Sequence, residues 1–158
     1  MKNISLLLLL SVGVLTMIGC VDDADQIFEE QQVEFTEFMT DKGWINDAVD
    51  LGDGIWFYLE ERGTGVDYPS QLSTVTVHYE GRLLDDTKFD SSFDRGQPST
   101  FPLNGVIEGW KRGIPSFREG DKGYLLIPSK YGYGSRGSGS SIPGHTALVF
   151  YIEMIDFD

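Results

Sequence analysis

The run from Val75 to Trp110 limits the possible folds of this chain more than any other stretch. Its apolar period changes within a short distance. Val75, Val77 and Tyr79 alternate with Thr76, His78 and Glu80, the period-two pattern of a strand with one buried face. Gly81 and the pair Asp85-Asp86 read as the punctuation that ends it. Phe89-Asp90-Ser91-Ser92 and an irregular Gly/Pro stretch follow and read as loop. Ile107, Trp110 and Ile114 then recur at helical spacing, and Pro115 ends or kinks that helix. A strand, a loop and a short helix therefore carry aromatic and branched side chains to one place. Only Asp90, Arg95 and the Tyr79 hydroxyl add polarity. A dry, aromatic-floored pocket with a few oriented polar groups is the usual character of a small-ligand site.

The rest of the chain fits a turn-rich β protein better than a helical bundle, because most of its 19 glycines crowd the C-terminal half. At 158 residues and 41% apolar content it can hold one cored domain with appendages. Lys122 to Ile127 reads as a strand with Leu125 and Ile127 inward. Pro128 to Tyr131 reads as a turn, and Tyr133 to Ile142 as a flexible Gly/Ser loop. Thr146 to Ile155 is the last strand, with Leu148, Phe150, Ile152 and Met154 on one parity. Upstream, Asp25 to Gly43 reads as a helix capped by Asp25 and stopped by Gly43. Its partial stripe of Ile27, Phe28, Phe35, Phe38 and Met39 packs either on the domain or on a second copy. Trp44 to Leu51 is a connection.

The first residues form a targeting segment. Lys2 supplies a positive start, and Ile4 to Ile18 is mostly apolar but short for a transmembrane helix. It runs into Thr16-Met17-Ile18-Gly19-Cys20, which resembles the lipobox of bacterial lipoproteins, with Met17 where leucine is usual. That resemblance implies cleavage before Cys20 and acylation of its thiol, an anchor of two or three chains that holds stably to a membrane. The plain alternative is an ordinary signal peptide with a chance cysteine. Cys20 is the single cysteine, so no internal disulfide can form. Val21-Asp22-Asp23-Ala24-Asp25 is a solvated tether or, alternatively, an acidic sorting signal of a surface lipoprotein.

Several chemistries are disfavoured. A net charge of −13 argues against nonspecific nucleic-acid binding. Gly132-Tyr133-Gly134-Ser135-Arg136-Gly137 is a literal G-x-G-x-x-G, but it runs into Gly/Ser and Pro143 rather than opening a helix. His78 and His145 are the only histidines and stand in no metal-ligand pattern, so no metal or cofactor is expected. No G-x-S-x-G elbow occurs for a serine hydrolase.

Val77-His78-Tyr79-Glu80-Gly81, Lys88-Phe89-Asp90-Ser91-Ser92, the turn from Asp94 to Leu103 and Val106-Ile107-Glu108-Gly109-Trp110 follow one another in order. Tyr131-Gly132-Tyr133-Gly134, Ile142-Pro143-Gly144-His145 and Leu148-Val149-Phe150-Tyr151-Ile152-Glu153 complete the series. This ordered set resembles the macrolide-binding immunophilins, the FKBP-type peptidyl-prolyl cis-trans isomerases, from about Gly52 to Asp158. The resemblance implies an α+β fold, a twisted antiparallel half-barrel wrapped around one short helix, here with an N-terminal helical extension. It divides the chain into a lipoprotein signal peptide (1–19), an acidic tether with its helix (20–51) and an isomerase domain (52–158).

By the same resemblance Trp110 is the floor under a substrate proline, and Tyr79, Phe89 and Phe150 are walls. Phe101 is a further wall or plain core. Val106 leads into the helix, and the Ile107 backbone N–H binds a ligand carbonyl. Asp90 is the polar group nearest the substrate, held by Arg95 and the Tyr79 hydroxyl; a loop-fixing ion pair is its blander role. Tyr133 donates its hydroxyl from the flap, and Ile142 packs over the proline. The sequence departs from better-known members at Ser99, Ser138, Ser141 and Gly144. These departures bear on macrolide affinity and substrate preference. The implied partners are proline-containing polypeptides, macrolide inhibitors and, through Cys20, a membrane. The implied place is the bacterial envelope, at the outer membrane, facing the periplasm or the surface. An FKBP-like chaperone or partner-binding module with little turnover is the alternative function.

Overall fold

The computed structural model describes residues 23–158. The leader, Cys20 and the start of the tether lie outside the described residues. In chain order the elements are α1 (Asp23–Lys42), β1 (Val49–Asp50), β2 (Trp56–Glu61), β3 (Thr74–Leu83), β4 (Lys88–Ser91), β5 (Ser99–Pro102), α2 (Glu108–Gly113), β6 (Lys122–Ile127) and β7 (Leu148–Phe157). All pairings are antiparallel, in the order β1-β2-β6-β7-β3-β4, with β5 sharing an edge of β3.

β3 is the spine. Its inward side chains Val75, Val77 and Tyr79 are buried as their alternation predicts. Gly81 does not end the strand. It pairs with Asp90 on one side and Phe150 on the other. A Cβ there would come within 2.4 Å of the Phe89 ring, so the glycine makes lateral room for aromatics. The chain reverses later, where Asp86 takes a φ of 72° and Asp85 accepts from the Thr87 N–H at 2.9 Å. The expected loop after it contains two strands. β5 pairs with Thr74–Val77 and β4 with Glu80–Arg82, so the long edge of β3 organises both. Their short polar sequences carry little periodicity of their own.

α2 lies on the concave face of the sheet. Gly109 and Gly113 bring its backbone close: added Cβ atoms would sit 2.3 Å from Ile127 Cγ2 and 2.5 Å from Leu125 Cδ1. Trp110 and Ile114 point into the same core as Leu125, Ile127, Leu148, Phe150, Ile152 and Met154. Pro115 falls in a 3-10 turn over Ile114–Ser116 that closes the helix.

The opposite face of the sheet is covered by α1. Phe35 and Met39 are fully buried against Leu126, Ala147 and Val149. Of the two expected packings for the stripe, this structure has the one on the domain. Burial of a side chain such as Phe35 is worth about 1.5–3 kcal/mol. The helix starts at Asp23, so Asp25 is not its cap and sits in the first turn, where the helix dipole favours a negative charge. Gly43, at φ 76°, stops the helix as expected. The Trp44 N–H then donates back to the Met39 carbonyl at 2.7 Å. No described helix is long and apolar enough to cross a membrane.

Candidate active site

Between α2 and the concave face of the sheet a cleft of about 610 Å³ opens. Its floor is Trp110, 4% exposed. Three rings meet the indole edge-on: Tyr79 at 5.3 Å and 90°, Phe101 at 5.6 Å and 89°, and Phe150 at 5.3 Å and 79°. Phe89 stands edge-on to Phe150 at 5.6 Å. Each such pair contributes about 0.5–1.5 kcal/mol beyond area burial and fixes ring orientation. The rings therefore present a rigid apolar box. The Trp110 Nε1 is buried without a hydrogen-bond partner among the described residues.

One wall is polar. The Tyr79 hydroxyl donates to Oδ2 of Asp90, and Arg95 Nη1 donates to Oδ1. Arg95 Nη2 also donates to the Tyr79 oxygen at 3.0 Å and to Ser99 Oγ at 3.2 Å. Burial pushes the Asp90 pKa up, but the hydrogen bonds from Tyr79 and Arg95 outweigh it and hold the carboxyl below the usual carboxylate range. Burial, then the bond to Asp90, push the Tyr79 phenol up. Both shifts favour a charged Asp90 and a protonated Tyr79 at neutral pH.

Asp90 lines the cleft, but Arg95 and Ser99 lie behind it. Ser99 here holds the arginine. Phe101, Val106 and Ile107 line the cleft. The Ile107 carbonyl accepts from the N–H groups of Trp110 and Lys111 at 3.0 and 3.2 Å, which starts α2 at the cleft edge.

The flap closes the far side with Tyr133, Ser138, Gly139, Ser141 and Ile142. It is less free than its Gly/Ser content suggests. Ser138 and Ile142 exchange backbone bonds at 2.8 and 3.1 Å. Gly137 takes a φ of 67° with the Ile142 carbonyl so near that a Cβ would fall 2.1 Å from its oxygen. Tyr133 is 37% exposed at the mouth. Burial and the nearby Asp90 charge raise its pKa, so it too stays a donor.

Gly105 and Gly139 also line the cleft and carry no chemical signal in the sequence. A second unread support is Ser92. Its hydroxyl accepts from the Tyr79 N–H at 2.8 Å and meets His78 Nδ1 at 2.9 Å, which fixes the backbone under the tyrosine.

The family profile described as FKBP-type peptidyl-prolyl cis-trans isomerase matches residues 65–155, more than half of the chain. The chain belongs to the FKBP-type peptidyl-prolyl cis-trans isomerases. It is 41% identical to the FKBP-type isomerase FkpA of Aeromonas hydrophila over 132 residues, covering 84% of this chain and 48% of that protein. It is 37% identical to the FKBP-type 22 kDa isomerase of Escherichia coli over 131 residues, covering 83% and 63%. The chain thus spans about half to two-thirds of the length of these FKBP relatives. A crystal structure of a peptidyl-prolyl isomerase from Pseudomonas syringae superposes with a TM-score of 0.72 at 34% identity, covering 89% of this chain and 99% of that one. The α+β arrangement of antiparallel sheet and short helix matches this isomerase neighbour, and the chain carries an N-terminal helix beside it. The family match begins after α1 and β2.

Proposed function

We propose that this FKBP-type chain accelerates cis-trans isomerisation of Xaa-Pro bonds in envelope or exported polypeptides. The observation that carries the reading is the Trp110 indole, boxed edge-on by three aromatic rings beside a charge-fixed Asp90. Rotation about the bond must overcome about 18–20 kcal/mol, most of it lost amide resonance. The twisted imide has less charge separation than the planar one. An apolar box therefore desolvates the planar ground state at greater cost than the twisted transition state. Binding that favours the twisted form lowers the barrier, with about tenfold in rate for each 1.4 kcal/mol. The chemistry calls for no nucleophile or proton transfer.

In this reading the proline ring stacks on Trp110 between Tyr79, Phe89 and Phe150, with Phe101 closing the side. The Ile107 N–H and the Tyr133 hydroxyl receive the flanking carbonyls. Val106 and Ile142 pack over the ring, and Asp90 faces the turning carbonyl. Arg95 acts through Asp90. Macrolides that mimic a twisted proline amide are candidate inhibitors of the same cleft.

The catalytic domain spans 52–158, and 20–51 carries it on a tether. Cys20, after a lipobox-like run, anchors the chain in the bacterial envelope, at the outer membrane. Mass spectrometry of the mature N-terminus reads the anchor directly, and an unmodified Cys20 excludes it. Protease shaving of intact cells separates the two faces: removal means surface exposure, survival means periplasm.

A protease-coupled assay on an Xaa-Pro peptide tests the activity. Wild type should exceed the uncatalysed rate, and Trp110→Ala and Asp90→Ala should fall well below wild type. A wild-type rate equal to background rejects it. Peptide binding without acceleration would instead mark a holding module.

A further inference from the structure

One side chain of α1 grips both stems of the flap. Gln31 is only 4% exposed, although it sits in an acidic helix. Its Nε2 donates to the His145 carbonyl at 2.9 Å. Its Oε1 accepts from the Ser129 backbone N–H at 2.9 Å and from Ser129 Oγ at 3.1 Å. A donor meets a carbonyl and an acceptor meets an N–H, so the amide fits one way round. Ser129 precedes the flap and His145 follows it. Every flap side chain on the cleft, from Tyr133 to Ile142, falls between them. His145 itself takes a φ of 58°, a left-handed conformation that a non-glycine residue adopts only when its surroundings hold it. Its N–H donates across the flap to the Gly134 carbonyl at 2.8 Å.

We propose that Gln31 is a positioning residue for the flap, and that through it α1 sets how tightly the cleft holds a peptide. The kinetic part of this inference rests on the isomerase reading; the structural part does not. A buried carboxamide is costly unless its hydrogen bonds are made. Without it, the Ser129 N–H and the His145 carbonyl lose their partner, and the stems relieve this by moving apart. The flap then has more conformations to lose when substrate arrives. That loss weighs equally on ground and transition states, so it appears in KM and not in kcat.

The test compares the full chain with Gln31→Leu and Gln31→Glu. The first removes all three bonds at similar volume. The second keeps an acceptor for Ser129 and turns an oxygen toward the His145 carbonyl. Met154→Ala, a buried truncation near the far end of β7, controls for lost stability. Both Gln31 variants should raise KM by about threefold to tenfold, with kcat within about twofold, as expected for one or two net hydrogen bonds. Amide exchange should quicken from Tyr133 to Ile142 and stay slow in β3 and β7. Met154→Ala should lower Tm and leave KM unchanged. Unchanged flap exchange in Gln31→Leu overturns the proposal, and so does an equal rise of KM in Met154→Ala at matched Tm. If wild type shows no turnover, the isomerase reading fails, and the exchange comparison alone decides the role of Gln31.

Discussion

The indole of Trp110 and the ring of Tyr79 meet at right angles, with centroids 5.3 Å apart. One comes from α2 and the other from β3, so the contact joins helix to sheet at the base of the cleft. The same Tyr79 carries its hydroxyl to Asp90. Floor, wall and polar group are therefore one mechanical unit, and a change in any of them reaches the others.

Trp110→Leu tests the floor with less damage than truncation to alanine. It keeps an apolar side chain but removes the flat surface and three edge-to-face pairs. The expected loss in kcat/KM is about tenfold to a hundredfold, or about 1.4–2.7 kcal/mol of transition-state binding. Far-UV circular dichroism should stay unchanged. A kcat/KM equal to wild type would show that the floor is structural only.

Tyr79→Phe removes one donor to Asp90 and keeps the wall. It should lower kcat/KM by about threefold to tenfold, the scale of one hydrogen bond. The Asp90 pKa should rise toward the ordinary carboxylate range, readable by carboxyl-carbon NMR titration. An unmoved Asp90 titration would mean that Arg95 alone holds it.

The pH dependence follows from the signs of two shifts. Asp90 is held low, so it stays charged well into acid. Tyr79 is held high, so it keeps its proton well into alkali. Between about pH 5 and about pH 8, kcat/KM should be flat. Because the folded pKa of Asp90 is depressed, its contribution to stability is fully present above the unfolded value of about 3.9. It is lost as pH falls through the folded value. A bell-shaped rate profile centred near neutrality would contradict this assignment.

Gly81→Ala places a methyl 2.4 Å from Phe89 and 3.0 Å from Phe150. The rings must shift or the strands must part. Overpacking of this kind costs about 1–3 kcal/mol. Denaturant unfolding should show it, together with a fall in kcat/KM as two walls move. A neutral outcome in both would mean that the walls are softer than their edge-on packing implies.

The sequence was most legible where one residue type repeats at a fixed period on a buried face. Leu125 and Ile127 in β6, and Leu148 to Met154 in β7, needed no context, nor did Ile107, Trp110 and Ile114 around α2. β4 and β5 were hidden because Lys88–Ser91 and Ser99–Pro102 are short and polar, and their pairing is dictated by the edge of β3. Gly81 read as a breaker, since the absence of a side chain looks the same in a turn and beneath an aromatic ring. The cleft residues that touch one another through rings or charges were within reach of family likeness. Gln31 was not, and Ser92, though inside a family-like run, did not show its role: a small polar residue and a glutamine on a helix look like surface until the fold brings their partners to them.

The most direct measurement is exchange spectroscopy on a short peptide with one Xaa-Pro bond, with no protease present, adding catalytic amounts of the protein. Wild type should raise the cis-trans exchange rate without changing the cis-trans ratio, and Trp110→Leu should lose most of that gain while still folding. An exchange rate that does not change on adding wild type would contradict the account, however well the cleft binds the peptide.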